Sequence, residues 1–324
     1  MARVASFERT GGPEVIAWAD VDLPDPAPGE ARVRHTAVGL NYIDTYHRSG
    51  LYPVPLPGAL GSEAVGVVEA VGAGVEGLAP GTRVGTFGPA LGAYATHRNV
   101  AADSLFKLPH DIDDRTAAAV LLKGCTAEFL IERCARVERG RAVLVHAAAG
   151  GVGHLLVQWL AHIGAVVIAS AGGPAKAASA LQAGATHAID HRDGDVAARV
   201  RELTDGRGVD VVLDGVGMAT WTVSLAAVRR RGLIVSYGNA GGAVTGIGLG
   251  ALAQAGSIFV TRPTLYDYYR TPDERQAGVA RLFDLLRRGV LSVEIGQTFA
   301  IEDAAQAHRA LEAGETRGSS LLLP

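Results

Sequence analysis

The chain has 324 residues, enough for two domains of ordinary size, and its 42 glycines are spread along the sequence instead of forming a low-complexity block. A net charge of −3 gives no basic surface for nucleic acid, and the apolar stretch from Ala142 to Ala171 is broken by three histidines, which argues against a membrane span. Two cysteines, Cys125 and Cys134, are too few for a disulfide framework or a structural zinc site, and the first residues do not resemble a signal peptide. We therefore expect a cytoplasmic protein.

The first 120 residues or so are predicted to be rich in β-structure. Strand-like runs at 3–7, 31–39 and 64–71 are separated by turns that are dense in proline and glycine. Short strands with this spacing are typical of a small barrel or of a sheet folded over itself.

From Thr116 onward the sequence alternates between helices and short apolar strands, which predicts βαβ units and a parallel sheet. The predicted helices cover 116–134, 151–163, 175–183, 196–204 and 221–228, and the predicted strands cover 142–146, 165–170, 187–190, 209–214 and 232–237. After Pro263 the pattern predicts a helix at 301–313 and, before it, one at 274–288 whose apolar stripe contains Val279, Leu282, Phe283 and Leu286.

A glycine-rich turn joins the predicted strand at 142–146 to the helix that follows it. Its sequence is Ala-Ala-Ala-Gly-Gly-Val-Gly at 147–153, and strand, turn and helix in this order are the context of the Rossmann dinucleotide fingerprint. Gly150 lets the backbone approach a pyrophosphate, Gly153 lets the helix pack closely on the strand, and Ala148 stands in the place of the first glycine. The alternative interpretation is a glycine-rich turn that binds nothing.

The end of the second predicted strand indicates which nicotinamide cofactor would bind. Enzymes that use NAD usually place an acidic side chain there, on the ribose 2′-hydroxyl, but this strand ends at Ser170 without one. Lys176 lies one helical turn further on, and His191 and Arg192 follow the third strand, so all three are candidates to bind a 2′-phosphate. The pattern favours NADPH over NADH, although Lys176 also fits an ordinary solvated surface lysine.

Residues 41–53 are dense in polar aromatic side chains. Tyrosines combine an apolar ring with a polar tip, which suits a cleft for a planar substrate. They would equally well cover the end of a barrel, and the spacing alone does not separate the two interpretations.

Several segments of the chain together resemble a known family. The segments at 41–52, 61–68, 122–126, 146–153 with Gln158, 260–263 and 318–320 resemble the zinc-free medium-chain dehydrogenases/reductases. Within that superfamily the chain is most similar to the bacterial NADPH:quinone oxidoreductases, the group that includes zeta-crystallin. The resemblance implies an α/β fold with a Rossmann doubly wound parallel sheet at 123–265 and a β-rich, GroES-like catalytic domain at 1–122 and 266–324.

The same resemblance implies which residues form the site. The expected catalytic residues are Asn41, Tyr46, Tyr52 and Thr126. The residues expected to contact NADPH are Asn41, Asp44, Thr126, Gly150, Gly151, Val152, Gly172, Gly173, Lys176, His191, Tyr237, Gly238, Asn239, Thr261 and Pro263. Two positions depart from the family pattern: Gly215 replaces a serine that often contacts the cofactor, and Gly314 replaces an arginine, with Arg317 as a substitute three residues later.

No metal is expected. The zinc-dependent branch of the superfamily has a catalytic cysteine near position 41 and a histidine in the segment 61–63, where this chain has Asn41 and Ser62. Glu63 alone remains as a candidate ligand, and one ligand does not hold a catalytic zinc.

The resemblance implies an enzyme that reduces quinones with NADPH by hydride transfer, without zinc, in a cleft between the two domains. The first alternative is an NADPH-dependent enone or enoyl-thioester reductase of the same superfamily. An alternative of another class is a non-catalytic NADPH-binding protein or an RNA-binding protein, although the net negative charge argues against RNA. We expect a homodimer that pairs through the strand near Phe259 and Val260, and no membrane partner.

Overall fold

The computed structural model describes all 324 residues of the chain. Its internal contacts divide the chain into two compact units. The first unit comprises Met1–Lys123, Thr271–Val279 and Val293–Pro324, and the second comprises Gly124–Arg270 and Ala280–Ser292. The predicted domain division assigned 266–324 as a whole to the first domain, and it stays a prediction.

Sixteen strands are present. In chain order they are β1 (Ala2–Phe7), β2 (Ala17–Val21), β3 (Glu30–Leu40), β4 (Gly58–Ala59), β5 (Glu63–Val71), β6 (Arg83–Phe87), β7 (His97–Ala101), β8 (Leu105–Lys107), β9 (Ala142–Val145), β10 (Val166–Ala171), β11 (His187–Asp190), β12 (Val209–Asp214), β13 (Val228–Ser236), β14 (Phe259–Thr261), β15 (Ile295–Ala300) and β16 (Ser319–Leu323).

Ten α-helices connect these strands. In chain order they are α1 (Tyr42–Ser49), α2 (Asp114–Glu128), α3 (Gly151–Ile163), α4 (Pro174–Gln182), α5 (Val196–Leu203), α6 (Met218–Ala227), α7 (Leu249–Gln254), α8 (Leu265–Tyr268), α9 (Pro272–Arg287) and α10 (Ala304–Glu312). A π-helical turn, Phe129–Cys134, follows α2, and short 3-10 turns lie at Pro13–Val15, Ala102–Ser104 and Ile301–Asp303. None of the helices is both long enough and apolar enough to cross a membrane.

The first unit is built on a long central strand, β3. A seven-stranded sheet has the order β15-β16-β3-β5-β6-β8, with β7 also paired to β3, and a three-stranded sheet has the order β2-β1-β4. The pairing of β3 with β5 shifts register twice, at Arg32/Val33 and at His35/Ala37, and such bulges bend a strand. A core that includes Phe7, Leu40 and Tyr94 is packed where β3 ends.

The second unit contains a six-stranded parallel sheet with the order β11-β10-β9-β12-β13-β14. Numbered within the unit, this is the strand order 3-2-1-4-5-6 of the dinucleotide-binding fold, and the order reverses between β9 and β12. Strands β9 and β12 are buried along their whole length. This explains why β9 is entirely apolar and why β12 is apolar except for Asp210 and Asp214, both of which are hydrogen-bonded. The predicted fold class is therefore confirmed.

The structure departs from the sequence interpretation at two helices. The segment after Asn41 was predicted only as an aromatic-rich cleft or cover, and it forms the helix α1. On α9 the buried stripe contains Leu285, whereas the predicted Leu286 is only half-buried. A residue one position away on a helix points about 100° to the side, so the predicted stripe was rotated slightly from the buried one.

Candidate functional site

The glycine-rich turn of the second unit leads directly from β9 into α3. Ala147 adopts a left-handed conformation with φ of 50°, and Gly150 is the N-cap of α3. A Cβ at Gly153 would overlap the Ala147 carbonyl oxygen, so only glycine lets α3 approach the turn this closely. No side chain caps the first amides of α3. Unpaired N–H groups at a helix N-terminus are suited to bind a phosphate anion.

A second turn lies where β10 and β11 end side by side. Ala171 pairs with Asp190 in parallel register, and the Asp190 carboxylate accepts hydrogen bonds from the backbone amides of Gly173 at 2.9 Å and Arg192 at 3.0 Å. These two amides hold the pKa of the Asp190 carboxyl below its usual range. Through this one oxygen, Oδ1, Asp190 holds the two segments together.

Positive charge surrounds this second turn. A Cβ on Gly172 would lie 3.1 Å from the His191 ring and 3.5 Å from the Arg192 guanidinium, and one on Gly173 would lie 3.4 Å from that guanidinium. Lys176 lies in the first turn of α4, directly after Gly173. The structure therefore brings His191 and Arg192 to the predicted glycines, with Lys176 on the helix that the turn begins. Such a donor set fits a 2′-phosphate.

The end of β12 is organised by a buried carboxylate, Asp214. It accepts hydrogen bonds from the Val216 and Gly217 amides at 2.8 and 3.0 Å and from the Ser224 hydroxyl at 2.7 Å. The Ser224 oxygen lies 3.1 Å from Nε2 of His146, the residue that follows β9, and burial lowers the pKa of that imidazole. The ends of the two strands on either side of the reversal in strand order are thus tied together by side chains.

Tyr237, Gly238 and Asn239 continue this edge after β13. The Tyr237 amide donates to the Asp214 carbonyl at 2.8 Å. A Cβ on Gly215 would lie 2.8–2.9 Å from three atoms of the Tyr237 ring and hydroxyl. The glycine at 215 therefore has a local cause, because a serine there would displace the tyrosine. Thr261 ends β14 in the same sheet, Pro263 follows two residues later, and Thr126 lies on α2 near its C-terminal end.

The predicted site residues of the first unit lie on and around α1. Asn41 is the N-cap and forms a capping box with Asp44, whose carboxylate accepts the Asn41 backbone N–H at 3.0 Å. The ring of Tyr46 packs against that of Tyr52 with a centroid distance of 5.1 Å in an edge-to-face arrangement, and against that of Tyr42 at 5.6 Å. The structure thus brings Asn41, Asp44, Tyr46 and Tyr52 together.

Asp44 is completely buried in a polar cluster. Besides the Asn41 amide, its carboxylate accepts hydrogen bonds from the Ser62 hydroxyl at 2.8 Å and the Tyr94 hydroxyl at 3.1 Å. Burial raises the pKa of the Asp44 carboxyl to about 6, although these three hydrogen bonds and the charge of Lys123 act in the opposite direction. The desolvation of the carboxylate is therefore only partly compensated.

The titration of Asp44 has an expected effect on stability. Because its pKa in the folded protein exceeds that of an unfolded aspartate, its contribution to stability is largest at low pH and is lost as the pH rises through about 6. Asparagine does not titrate, so Asp44→Asn should not show this loss. We expect the difference in unfolding free energy, wild type minus variant, to fall by about 2 kcal/mol between pH 4 and pH 7. Urea unfolding at the two pH values measures it. Asp22→Asn, at an exposed position, is the control, and an equal response of both variants would contradict the assignment.

A chain of buried hydrogen bonds continues from Asp44. The Tyr94 hydroxyl lies 2.9 Å from Nε2 of His308, and Nδ1 of His308 lies 3.1 Å from the Arg48 guanidinium. Because arginine can only donate, Nδ1 of His308 must accept, and the proton of the neutral ring lies on Nε2. Nε2 therefore donates to the Tyr94 hydroxyl, which in turn donates to Asp44. Burial, together with the charge of Arg48, lowers the pKa of His308 to about 3, so this tautomer is neutral. Arg48 also binds both Glu312 carboxylate oxygens, at 3.0 and 2.6 Å.

Glu63 forms a second buried acidic group beside Asn41. Its carboxylate accepts from the Asn41 side-chain amide at 2.8 Å and from the Leu122 backbone amide at 2.7 Å, and Lys123 Nζ lies 3.7 Å away. Burial raises the pKa of Glu63, with Lys123 opposing. The sequence interpretation considered Glu63 only as a leftover metal ligand and did not predict Arg48, Tyr94 or His308 for the site. For these residues the sequence contains no local signal. The only local signal in this cluster is the spacing of Asn41 and Asp44, which is that of a helix capping box.

Two protein-family models match the chain. The model of the alcohol dehydrogenase GroES-like domain matches residues 27–110, and the zinc-binding dehydrogenase model matches residues 151–283. The quinone oxidoreductase of Pseudomonas aeruginosa is 49% identical to the chain, with 100% of each chain covered. The chain belongs to the quinone oxidoreductase family. The family resemblance stated from the sequence is therefore confirmed.

Two further members of this comparison are informative. The structure of the Escherichia coli quinone oxidoreductase, solved as a complex with NADPH, superimposes with a TM-score of 0.97 at 45% identity, covering 99% of this chain and 100% of the other. The 2-haloacrylate reductase of a Burkholderia species is 42% identical over 100% of this chain and 99% of its own length. One of the two matching family models is named for zinc-binding dehydrogenases. In this chain, however, no three histidine, cysteine or acidic side chains lie together so that they could hold a metal ion.

Proposed function

We propose that the chain is an NADPH-dependent quinone reductase. The observation that carries the proposal is its similarity, over the full length, to quinone oxidoreductases, one of which was solved with NADPH. The reaction balances as quinone plus NADPH plus one proton giving hydroquinone plus NADP⁺.

The residues of the second unit fit this cofactor. Gly150, Gly151 and Val152 would bind the pyrophosphate through the N-terminus of α3, and Gly172, Gly173, Lys176 and His191 would bind the adenosine 2′-phosphate, with Arg192 beside them. Thr126, Tyr237, Gly238, Asn239, Thr261 and Pro263 would border the ribose and nicotinamide. Asn41 would also contact the cofactor, whereas Asp44, which is completely buried, would support Asn41 through the capping box.

When bound, NADPH supplies the hydride, and the protein supplies binding, orientation and a proton. A quinone is a strong electron acceptor, so its carbonyl needs no metal ion to polarise it. The hydroxyl groups of Tyr46, Tyr52 and Thr126 are the candidates to protonate the product oxyanion or to position a water molecule that does so. Positioning would be the main contribution of these side chains, and proton donation a smaller one.

Removing a tyrosine hydroxyl tests this division of roles. We expect Tyr46→Phe and Tyr52→Phe each to lower kcat by less than about 100-fold, the lower end of what general acid catalysis contributes. Steady-state kinetics with a benzoquinone and NADPH measures the effect. A loss greater than about 10⁴-fold in either variant would show that the chemistry depends on that hydroxyl.

A substrate panel tests the proposal as a whole. We expect NADPH oxidation with 1,4-benzoquinone or 9,10-phenanthrenequinone to exceed by far that with 2-enones or crotonyl-CoA. Turnover confined to enones or enoyl thioesters would instead indicate a reductase of activated alkenes, and turnover of none of these compounds would refute a reductase.

We also propose that the chain forms a homodimer in the cytoplasm. Two observations support the dimer: β14 is the edge strand of the parallel sheet, and Phe259 and Val260 on it are 64% and 37% exposed. The two free cysteines and the NADPH chemistry are suited to a reducing compartment. Light scattering that reports a monomer at micromolar concentration contradicts the dimer.

A further inference from the structure

The carboxamide of Asn41 has no hydrogen left to donate. Its nitrogen, Nδ2, donates to Glu63 at 2.8 Å and to the Gly39 carbonyl at 3.3 Å, and a primary amide has only two N–H hydrogens. Both partners are acceptors only, so the reversed orientation of the amide would place its oxygen against two oxygens. The orientation of Asn41 is therefore fixed by chemistry.

Glu63 is held rigidly enough to impose this orientation. Its other carboxylate oxygen accepts the Leu122 backbone amide at 2.7 Å, and it is completely buried. Lys123 is itself more than nine-tenths buried, and its Nζ has no hydrogen-bond partner, so its charge is balanced by Glu63 at 3.7 Å. The Glu63 carboxylate also packs tightly against Gly39, because a Cβ at that position would overlap the Glu63 carboxylate and the Ala118 carbonyl.

We propose that Glu63 is a positioning residue that fixes Asn41 as a hydrogen-bond acceptor toward the bound ligand. The carboxamide oxygen has two lone pairs, of which the capping box with Asp44 uses one. This inference rests on the proposed function, since it assigns a partner within the same site.

The consequence concerns which part of the ligand Asn41 contacts. A quinone carbonyl has no hydrogen to donate, so Asn41 does not polarise it. The nicotinamide riboside half of NADPH carries ribose hydroxyls and a carboxamide NH₂, all of which donate. Asn41 therefore accepts a hydrogen bond from a donor group of the cofactor. It does not donate a hydrogen bond that would polarise the quinone carbonyl.

Exchanging the two side-chain types tests the orientation. In Glu63→Gln the new amide turns its oxygen to the Leu122 N–H, so its NH₂ faces the Asn41 NH₂. Asn41 then loses its main acceptor and no longer has one preferred orientation. In Asn41→Asp two carboxylates face each other. The double variant Glu63→Gln/Asn41→Asp restores one donor facing one acceptor, keeps the total charge beside Lys123, and again presents an acceptor to the ligand. Only the longer hydrogen bond to the Gly39 carbonyl is not restored.

The readouts are the dissociation constant for NADPH, titrated without any quinone, and the melting temperature. We expect each single variant to weaken NADPH binding by about 10- to 100-fold and the double variant to return to within about 5-fold of wild type. Glu69→Gln, on the same strand β5 but at a partly exposed ion pair, is the matched control and should bind as wild type does.

Two results would overturn the inference: Glu63→Gln binding NADPH as tightly as wild type, or the double variant binding no better than the weaker single variant. A purely structural role predicts that affinity and melting temperature fall together in all three variants, which also overturns it. A wild-type chain that binds NADPH but reduces no quinone refutes the proposed function alone, because the binding pattern is measured separately.

Discussion

Replacing Arg48 with methionine is expected to lower the free energy of unfolding by about 3 kcal/mol, because it removes one partner of a buried ion pair. The Arg48 guanidinium is 3% exposed and serves four acceptors: both oxygens of Glu312, Nδ1 of His308 and the Gly11 carbonyl. Methionine fills a similar volume but donates nothing, so these acceptors lose their partner. Glu312 is 34% exposed and regains some hydration, which keeps the cost at the lower end of the usual range for buried pairs.

The matched control for Arg48 is another arginine–glutamate pair at the surface. Arg199 lies 49% exposed beside Glu202, and Arg199→Met should leave stability unchanged within error. Thermal and urea unfolding of the three proteins measure the difference. Equal behaviour of the Arg48 and Arg199 variants would mean that water reaches the Arg48 cluster.

Reversing the charge at the second turn is expected to weaken the preference for NADPH over NADH. In the double variant Lys176→Glu/Arg192→Glu we expect kcat/KM for NADPH to fall by about 100-fold or more, while that for NADH changes by less than about 5-fold. Each hydrogen bond between a cationic side chain and a phosphate contributes about 1.5–3 kcal/mol to binding. NADH has no 2′-phosphate and makes no such hydrogen bond, so its binding does not depend on these two cations.

The control is Lys107→Glu, the same type of charge reversal at one exposed position in the first unit. Steady-state kinetics with both cofactors gives the ratio. A parallel fall with NADPH and NADH would place the two cations outside the 2′-phosphate site and would remove the main structural argument for NADPH.

The parallel sheet was predictable because its central strands, β9 and β12, are buried along their whole length. The predicted strands at 187–190 and 209–214 have the same bounds as β11 and β12. Short, mainly apolar segments that alternate with helical patterns leave few alternative interpretations. The absence of an acidic residue after β10 likewise predicted from the sequence that Lys176, His191 and Arg192 are candidates to bind a 2′-phosphate.

The first unit was less predictable, for physical reasons. The helix α1 has only eight residues, several of them aromatic, and it depends on its cap and on packing more than on helix propensity. The contacts of Arg48 with His308 and Glu312 join residues more than 250 positions apart, so no local pattern reveals them. The role of Glu63 depends on where Asn41 and Leu122 lie in space, which spacing along the chain does not specify.

The pairing of β16 with β3 has a consequence for the order in which the molecule assembles. Ser320 and Leu321 pair with Leu40 and Gly39, the two residues before Asn41, so the strand that leads to this asparagine is completed by residues from the last strand, β16. Closing a loop ten times longer than that between β3 and β5 costs about 2 kcal/mol more in chain entropy. The second unit consists almost entirely of one continuous stretch and can fold while the first still lacks its final strand. During synthesis, the nucleotide-binding half would therefore become competent before the half that carries Asn41.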